Sequence, residues 1–199
     1  MYLVQELLQL RTENDFKGVF PMENKVIAAV RSSEDFENAL SAPVSTIFHL
    51  SPDLHNLSEI AKKAHNANKK VFIHLDLATG IGKDKSGILY AKAAGIDGII
   101  STRVNIIRTA RDCGMFTVQR FFIVDSKSVD TTLEAVKSAK PDMIEIMPGA
   151  FLKAVTTLRK STDIPIIAGG LIDSAEEVNL ITEGGATAIS TAKASLWSL

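Results

Sequence analysis

The stretch IPIIAGGLIDSAEE, Ile164–Glu177, holds a complete change of local structure. An apolar run ends at Gly169-Gly170, and Ser174 with Glu177 three positions on has the spacing of a capping box, the start of a helix. A short buried strand that turns through glycine into an amphipathic helix is the repeating unit of a parallel sheet. The unit recurs. Apolar runs VIAAV (26–30), TIFHL (46–50), VFIHLDL (71–77), GIIST (98–102), FTVQRFFIV (116–124), MIEIM (143–147), PIIAG (165–169) and ATAIST (186–191) alternate with longer amphipathic stretches, their starts about 18 to 27 residues apart. Eight such units predict an α/β fold, a minimal (β/α)8 TIM-type barrel in one domain over residues 1–199. A doubly wound sheet would place G-x-G-x-x-G after its first strand, and VIAAVRSSEDF has none. Gly95 and Gly114 mark helix ends, and the segment before Val26 is expected to be an N-terminal helix closing the lower end of the barrel.

The composition, 46% hydrophobic and 23% charged, is that of a globular chain, and the net charge of -1 gives no global basic field for nucleic acid. Cys113 is the sole cysteine, so an intrachain disulfide and a paired-thiolate zinc site are both excluded, which suits the cytoplasm. The opening MYLVQELLQLRTENDF lacks the basic start and unbroken apolar stretch of a signal peptide, and no run approaches membrane-spanning length. No metal and no cofactor is expected.

In a parallel barrel alternate side chains face the interior, and the C-terminal strand ends form the functional mouth. That parity places His74 and Asp76 on the inner face with Phe72, and Glu145 inward between Ile144 and Ile146; His49 is read as the same kind of polar residue on the core-facing parity, and both histidines are expected to be satisfied interior residues, with a ligand contact as the alternative. Asp76 and Glu145 are the candidate acceptors, and Arg103 with Gln119 or Arg120 the candidate donors; no lysine is expected within a strand. Lys83, Asp84 and Lys85 are read as a solvated loop with a ligand lid as the alternative. Barrels often hold a phosphate with the loops after strands seven and eight and a short extra helix. Here those ends are Gly169-Gly170 and Ser190-Thr191, where glycine lets backbone N–H groups approach an anion and the helix after Thr191 would add its N-terminal charge. The expected ligand is a short phosphorylated polyol, whose hydroxyls donate to carboxylates.

HLDL (74–77) with its loop to Asp84, GIDGIISTR (95–103), QRFFIVDS (119–126), PDMIEIMPG (141–149) and PIIAGGLI (165–172) together resemble the glycerol uptake operon antiterminator family, from about Val26 to Trp197. The resemblance implies a regulatory barrel that responds to glycerol 3-phosphate and acts by antitermination on the leader mRNA of glycerol catabolism genes. It implies a ligand pocket of Asp76, Arg103, Gln119, Arg120, Glu145, Gly149, Gly169, Gly170 and Ser190 or Thr191. Ala192 departs from the pattern, standing where a further hydroxyl is expected.

An enzyme on a small phosphorylated polyol or sugar is the alternative. Strand four ends STR without the histidine of a triosephosphate isomerase-like site, no strand lysine serves a Schiff base, and no complete catalytic set is found, although Asp76 and Glu145 would be the acid and base. RNA contact, implied by the resemblance, would fall on Arg103, Arg108 and Arg111. A patch that small neutralises few phosphates, so the RNA-competent form is expected to be a ligand-stabilised homo-oligomer, with Ala78–Gly87 as the mobile loop.

Overall fold

The computed structural model describes residues 25–199, in which eight parallel strands close into a barrel with neighbours in chain order. They are β1 Val26–Val30, β2 Thr46–His49, β3 Lys70–His74, β4 Gly98–Ser101, β5 Phe116–Phe122, β6 Met143–Met147, β7 Ile166–Gly169 and β8 Ala188–Thr191. Among the described residues seven α-helices surround them: α1 Ser33–Ser41, α2 Leu57–Asn66, α3 Lys85–Ala93, α4 Val104–Asp112, α5 Ser126–Ala139, α6 Leu152–Arg159 and α7 Ala175–Glu183. The fold is the TIM-type barrel that the periodicity predicts. The helix expected before Val26 lies outside the described residues.

Strand parity builds two cores. Ile27, Phe48, Phe72, Ile100, Phe116, Val118, Met143 and Ile167 fill the barrel, and the alternating Ala28, Ile47, Ile73, Ile99, Ile144, Ile166 and Ile189 pack under the helices. The interior stacks aromatics, Phe48 to Phe72 and Phe72 to Phe116 each 5.5 Å between ring centroids. A Cβ at Gly98 would run into the Phe72 ring, so glycine beside phenylalanine keeps the layer close-packed.

Two aspartates pin the register at the lower end. Asp97, just before β4, accepts from Val71 N–H at 2.9 Å and from Lys70 Nζ at 3.0 Å; Asp142, just before β6, accepts from Thr117 N–H at 2.8 Å and its hydroxyl at 2.7 Å. Each thus ties its own strand to the start of the preceding one. Lys70 corrects the expectation that strands carry no lysine, but it lies at the foot of β3, away from the mouth.

Side-chain caps start the helices where the chain leaves the strands. Ser174 and Glu177 form the expected capping box on α7, Ser32 and Asp35 form another on α1, and Asp84 caps α3 through Gly87 N–H. After β8 the expected helix is a single 3-10 turn, Ala194–Leu196. Trp197 folds back beneath it, its indole N–H donating to Thr191 carbonyl at 2.9 Å. None of the described helices is long and apolar enough to cross a membrane.

Candidate functional site

β3 stops at His74, and Leu75–Leu77 forms a 3-10 turn, so Asp76 is not the last strand residue that parity suggests. It leans instead onto the end of β4. Its carboxylate accepts from Ser101 hydroxyl at 2.9 Å, Thr102 N–H at 2.8 Å, Thr102 hydroxyl at 3.0 Å and Arg103 Nε at 3.1 Å. Burial alone would raise the Asp76 carboxyl, but these donors outweigh it and hold the group below its ordinary value. Four donors fill the lone-pair sites of a carboxylate. Asp76 therefore positions Arg103, the N-cap residue of α4.

Across the mouth, Arg120 and Glu145 are register partners on β5 and β6, both pointing inward. Arg120 Nε donates to Glu145 Oε2 at 2.6 Å, and Ser190 of β8 donates to Oε1 at 2.5 Å. Glu145 is fully buried and Arg120 is 6% exposed. A Cβ at Gly169 would lie 2.5 Å from Ser190 Oγ and 2.7 Å from Glu145 Oε1, so glycine there makes room for this chain of bonds. The carboxylate meets Arg120 through Nε and not through the paired terminal nitrogens that give a two-point contact with phosphate.

Several expected site residues do not reach the mouth. Gln119 is register partner to Ile144 on the outer face of β5, opposite to Arg120, and is fully buried there under the helices; it is not at the mouth, because consecutive strand residues cannot share a face. Thr191 likewise takes the outer parity, as partner to Ala28, and its hydroxyl accepts from Lys193 N–H at 3.1 Å. His49 packs outward against Phe36 of α1, ring centroids 5.8 Å apart, so its core-facing assignment is corrected. Gly149 donates its N–H to the carbonyls of Gly169 and Gly170 at 2.5 and 3.1 Å, clamping the β6 and β7 loops together. Gly170 has φ +77° and sits over Met147, serving the turn.

The arginine patch is divided. Arg103 is at the mouth, whereas Arg108 donates to the Ser138 carbonyl at 2.9 Å and Arg111 to the Ala139 carbonyl at 3.3 Å, satisfying the C-terminal carbonyls of α5. The loop expected to be mobile is tied at its base, since Thr79 exchanges backbone bonds with Pro52 and Leu54 at 2.9 and 3.0 Å.

Lys83, read from the sequence as part of a solvated loop, and His74 both stand close enough to Asp76 to feel its charge. Lys83 turns inward, donating to the Ala78 carbonyl at 2.5 Å; burial, and after it the Arg103 charge, lower its ammonium pKa while Asp76 opposes them. The cue in the sequence was Asp84, whose capping spacing to Gly87 fixes Lys83 just ahead of α3. His74 ends β3 inside the barrel and is 4% exposed. Burial first, and the Arg120 charge second, lower its pKa to about 4, so the imidazole is neutral near pH 7. Among the described residues no group of three or more His, Cys, Asp or Glu side chains could hold a metal ion.

The mouth is thus rich in cationic donors, its two carboxylates already occupied. Comparison with known proteins agrees with a regulatory lineage. The chain is 33% identical to the glycerol uptake operon antiterminator regulatory protein of Listeria monocytogenes, with TM-score 0.83 over 88% of this chain and 95% of that one. It is 32% identical, with TM-score 0.80, to a glycerol uptake operon antiterminator-related protein of Thermotoga maritima, over 88% of this chain and 99% of that one. The uncharacterized protein YgcP of Escherichia coli (strain K12) is 35% identical over 178 residues, 89% of this chain and 93% of its own. Likeness to deoxyribose phosphate aldolase from Aeropyrum pernix, at 15% identity and TM-score 0.66, shows the shared barrel alone. Since the glycerol-3-phosphate responsive antiterminator model matches residues 26–197, nearly the whole of the described barrel, the chain belongs to the glycerol-3-phosphate responsive antiterminator family.

Proposed function

We propose that this barrel is a sensor that takes glycerol 3-phosphate, or a close phosphorylated polyol, at its mouth and thereby controls antitermination on the leader mRNA of glycerol catabolism genes in the cytoplasm. Family membership supports the regulatory role. The observation that carries the ligand reading is Arg120, a buried cation held from the side by Glu145. With Arg103 and Lys83 across the opening, it provides charge suited to a phosphate dianion. The hydroxyls of the ligand no longer need Asp76 or Glu145, which hold these cations in place. The phosphate reading keeps Gly169, Gly170 and Ser190 beside Arg120 as the wall formed by the β7 and β8 loops. The same engagement of both carboxylates disfavours their use as acid and base.

Thermal shift tests the ligand. Glycerol 3-phosphate well above Kd should raise Tm by a few degrees, because ligand bound only to the folded state stabilises by RT ln(1 + [L]/Kd), and glycerol should not. An equal shift with glycerol would refute the phosphate reading. Phosphorus NMR should recover glycerol 3-phosphate unchanged after incubation with stoichiometric protein; new resonances that vanish in Asp76→Asn or Glu145→Gln protein still folded by circular dichroism would establish the enzyme instead. Sedimentation with and without the phosphate ester, paired with leader-RNA gel shifts, tests the ligand-stabilised homo-oligomer. A monomer that binds the RNA tightly without ligand would sink that part.

A further inference from the structure

Among the described residues, the buried side-chain polar atoms without a hydrogen-bond partner are Thr46 Oγ1, His49 Nδ1, Asn56 Oδ1, His74 Nδ1 and both amide atoms of Gln119. Buried polar groups are normally paired, so an orphan at the mouth is a candidate contact for a bound molecule. Their positions separate them. His49 and Gln119 face the helix layer, Asn56 is in the turn before α2, and Thr46 opens β2 at the lower end. His74 alone stands on the inner face at the upper end of a strand, near enough to Arg120, Asp76 and Lys83 to feel their charges.

Resting on the reading of the mouth as a phosphate-ester site, we infer that His74 Nδ1 is the group that recognises a hydroxyl on the carbon chain of the ligand and so sets specificity for hydroxylated phosphate monoesters. The chemistry follows from what the neighbours leave available. Asp76 is filled by four donors, and Glu145 is fully buried with one oxygen held by Arg120 and the other by Ser190, so a ligand hydroxyl has a freer partner in His74 Nδ1. The cations favour the phosphate. A neutral imidazole nitrogen donates in one tautomer and accepts in the other, and a hydroxyl can answer either, whereas a ketone oxygen or a phosphate dianion only accepts. Burial beside Arg120 keeps the ring neutral, which prevents His74 from acting as one more phosphate cation. A site that hydrogen-bonds a hydroxyl through a buried group discriminates strongly against analogues lacking it, because their binding leaves that group unpaired.

Calorimetric titration of the full chain with glycerol 3-phosphate, n-propyl phosphate and inorganic phosphate tests this. The wild-type protein should prefer glycerol 3-phosphate over n-propyl phosphate by about tenfold or more. His74→Phe, which fills the same space without a hydrogen bond, should bring glycerol 3-phosphate down to the level of n-propyl phosphate while leaving inorganic phosphate within about twofold. His74→Gln, which restores a polar group, should recover part of the preference; circular dichroism establishes that each variant is folded, and His74→Gln carries the test if the phenylalanine variant is not. A preference for the hydroxylated ester undiminished in the variants overturns the role of His74 and leaves the phosphate site standing. Failure of all three phosphates to bind the wild-type protein overturns the phosphate reading itself, and this inference with it.

Discussion

Arg120 and Glu145 form an ion pair inside the barrel, Nε to Oε2 at 2.6 Å, with the carboxylate fully out of water. Desolvating two charges is costly, and the pair persists because Ser190 adds a further bond to the other carboxylate oxygen. Glu145→Gln should leave Arg120 as an uncompensated buried cation and destabilise the fold by about 3–5 kcal/mol. The double variant Arg120→Met/Glu145→Leu should be more stable than Glu145→Gln and bind no phosphate ester. Urea unfolding checks both; a double variant less stable than the single one would show that the stranded Arg120 charge is not what destabilises Glu145→Gln.

Gly169→Ala should be poorly tolerated although it adds one methyl group. The new Cβ would meet Ser190 Oγ and Glu145 Oε1 at 2.5 and 2.7 Å, too close for any ordinary contact. Overpacking of this kind costs about 1–3 kcal/mol. A lower Tm together with lost phosphate-ester binding is the expected pairing, and unchanged binding would show that the β7 and β8 loops are not part of the ligand wall.

Stability should fall with acid in two windows. The His74 pKa is lowered on folding from 6.5 to about 4, so the unfolded chain binds the extra proton first. Its contribution is complete above about pH 6.5 and declines towards pH 4, by about 3 kcal/mol for the whole shift. His74→Phe should flatten the stability profile between those values. Asp76 acts lower: its folded carboxyl is depressed, so its contribution is present above the unfolded value of about 3.9 and is lost as pH falls through the folded one. The deficit of Asp76→Asn should therefore persist at pH 5 and close only below about pH 4. A deficit that closes between pH 7 and 5 would assign the effect to another group.

Asp142→Ala should cost about 1–3 kcal/mol by leaving the Thr117 N–H and hydroxyl at the foot of β5 without this acceptor. Since Asp142 lies at the opposite end of the barrel from the mouth, affinity for glycerol 3-phosphate should be unchanged under conditions where the variant is folded. Calorimetry on the folded variant checks this, and a large loss of affinity would mean that the lower clamps set the geometry of the upper end.

The barrel was legible in the sequence because its signals are local. A buried strand shows itself as a short β-branched run, a helix start as Ser174 with Glu177, and eight repeats of the unit in a chain this short point to a barrel. Parity also placed Glu145 inside correctly, since alternation is a property of the strand itself. Adjacent Gln119 and Arg120 were a different matter: one of them had to face out, and only the register of β5 against β6 gives Arg120 to Glu145. The state of the two carboxylates was likewise invisible. The partners of Asp76 come from the end of β4, 25 to 27 residues later, and those of Glu145 lie 25 residues before it and 45 after it. Ser190, Arg120 and Glu145 meet because closure brings β5, β6 and β8 around one axis, and that closure is a fact about the whole chain. The sequence alone determined which side chains were available to a mouth; tertiary structure decided which of them were already bonded to one another, because hydrogen bonds between strands depend on distance in space and leave no periodic trace along the chain.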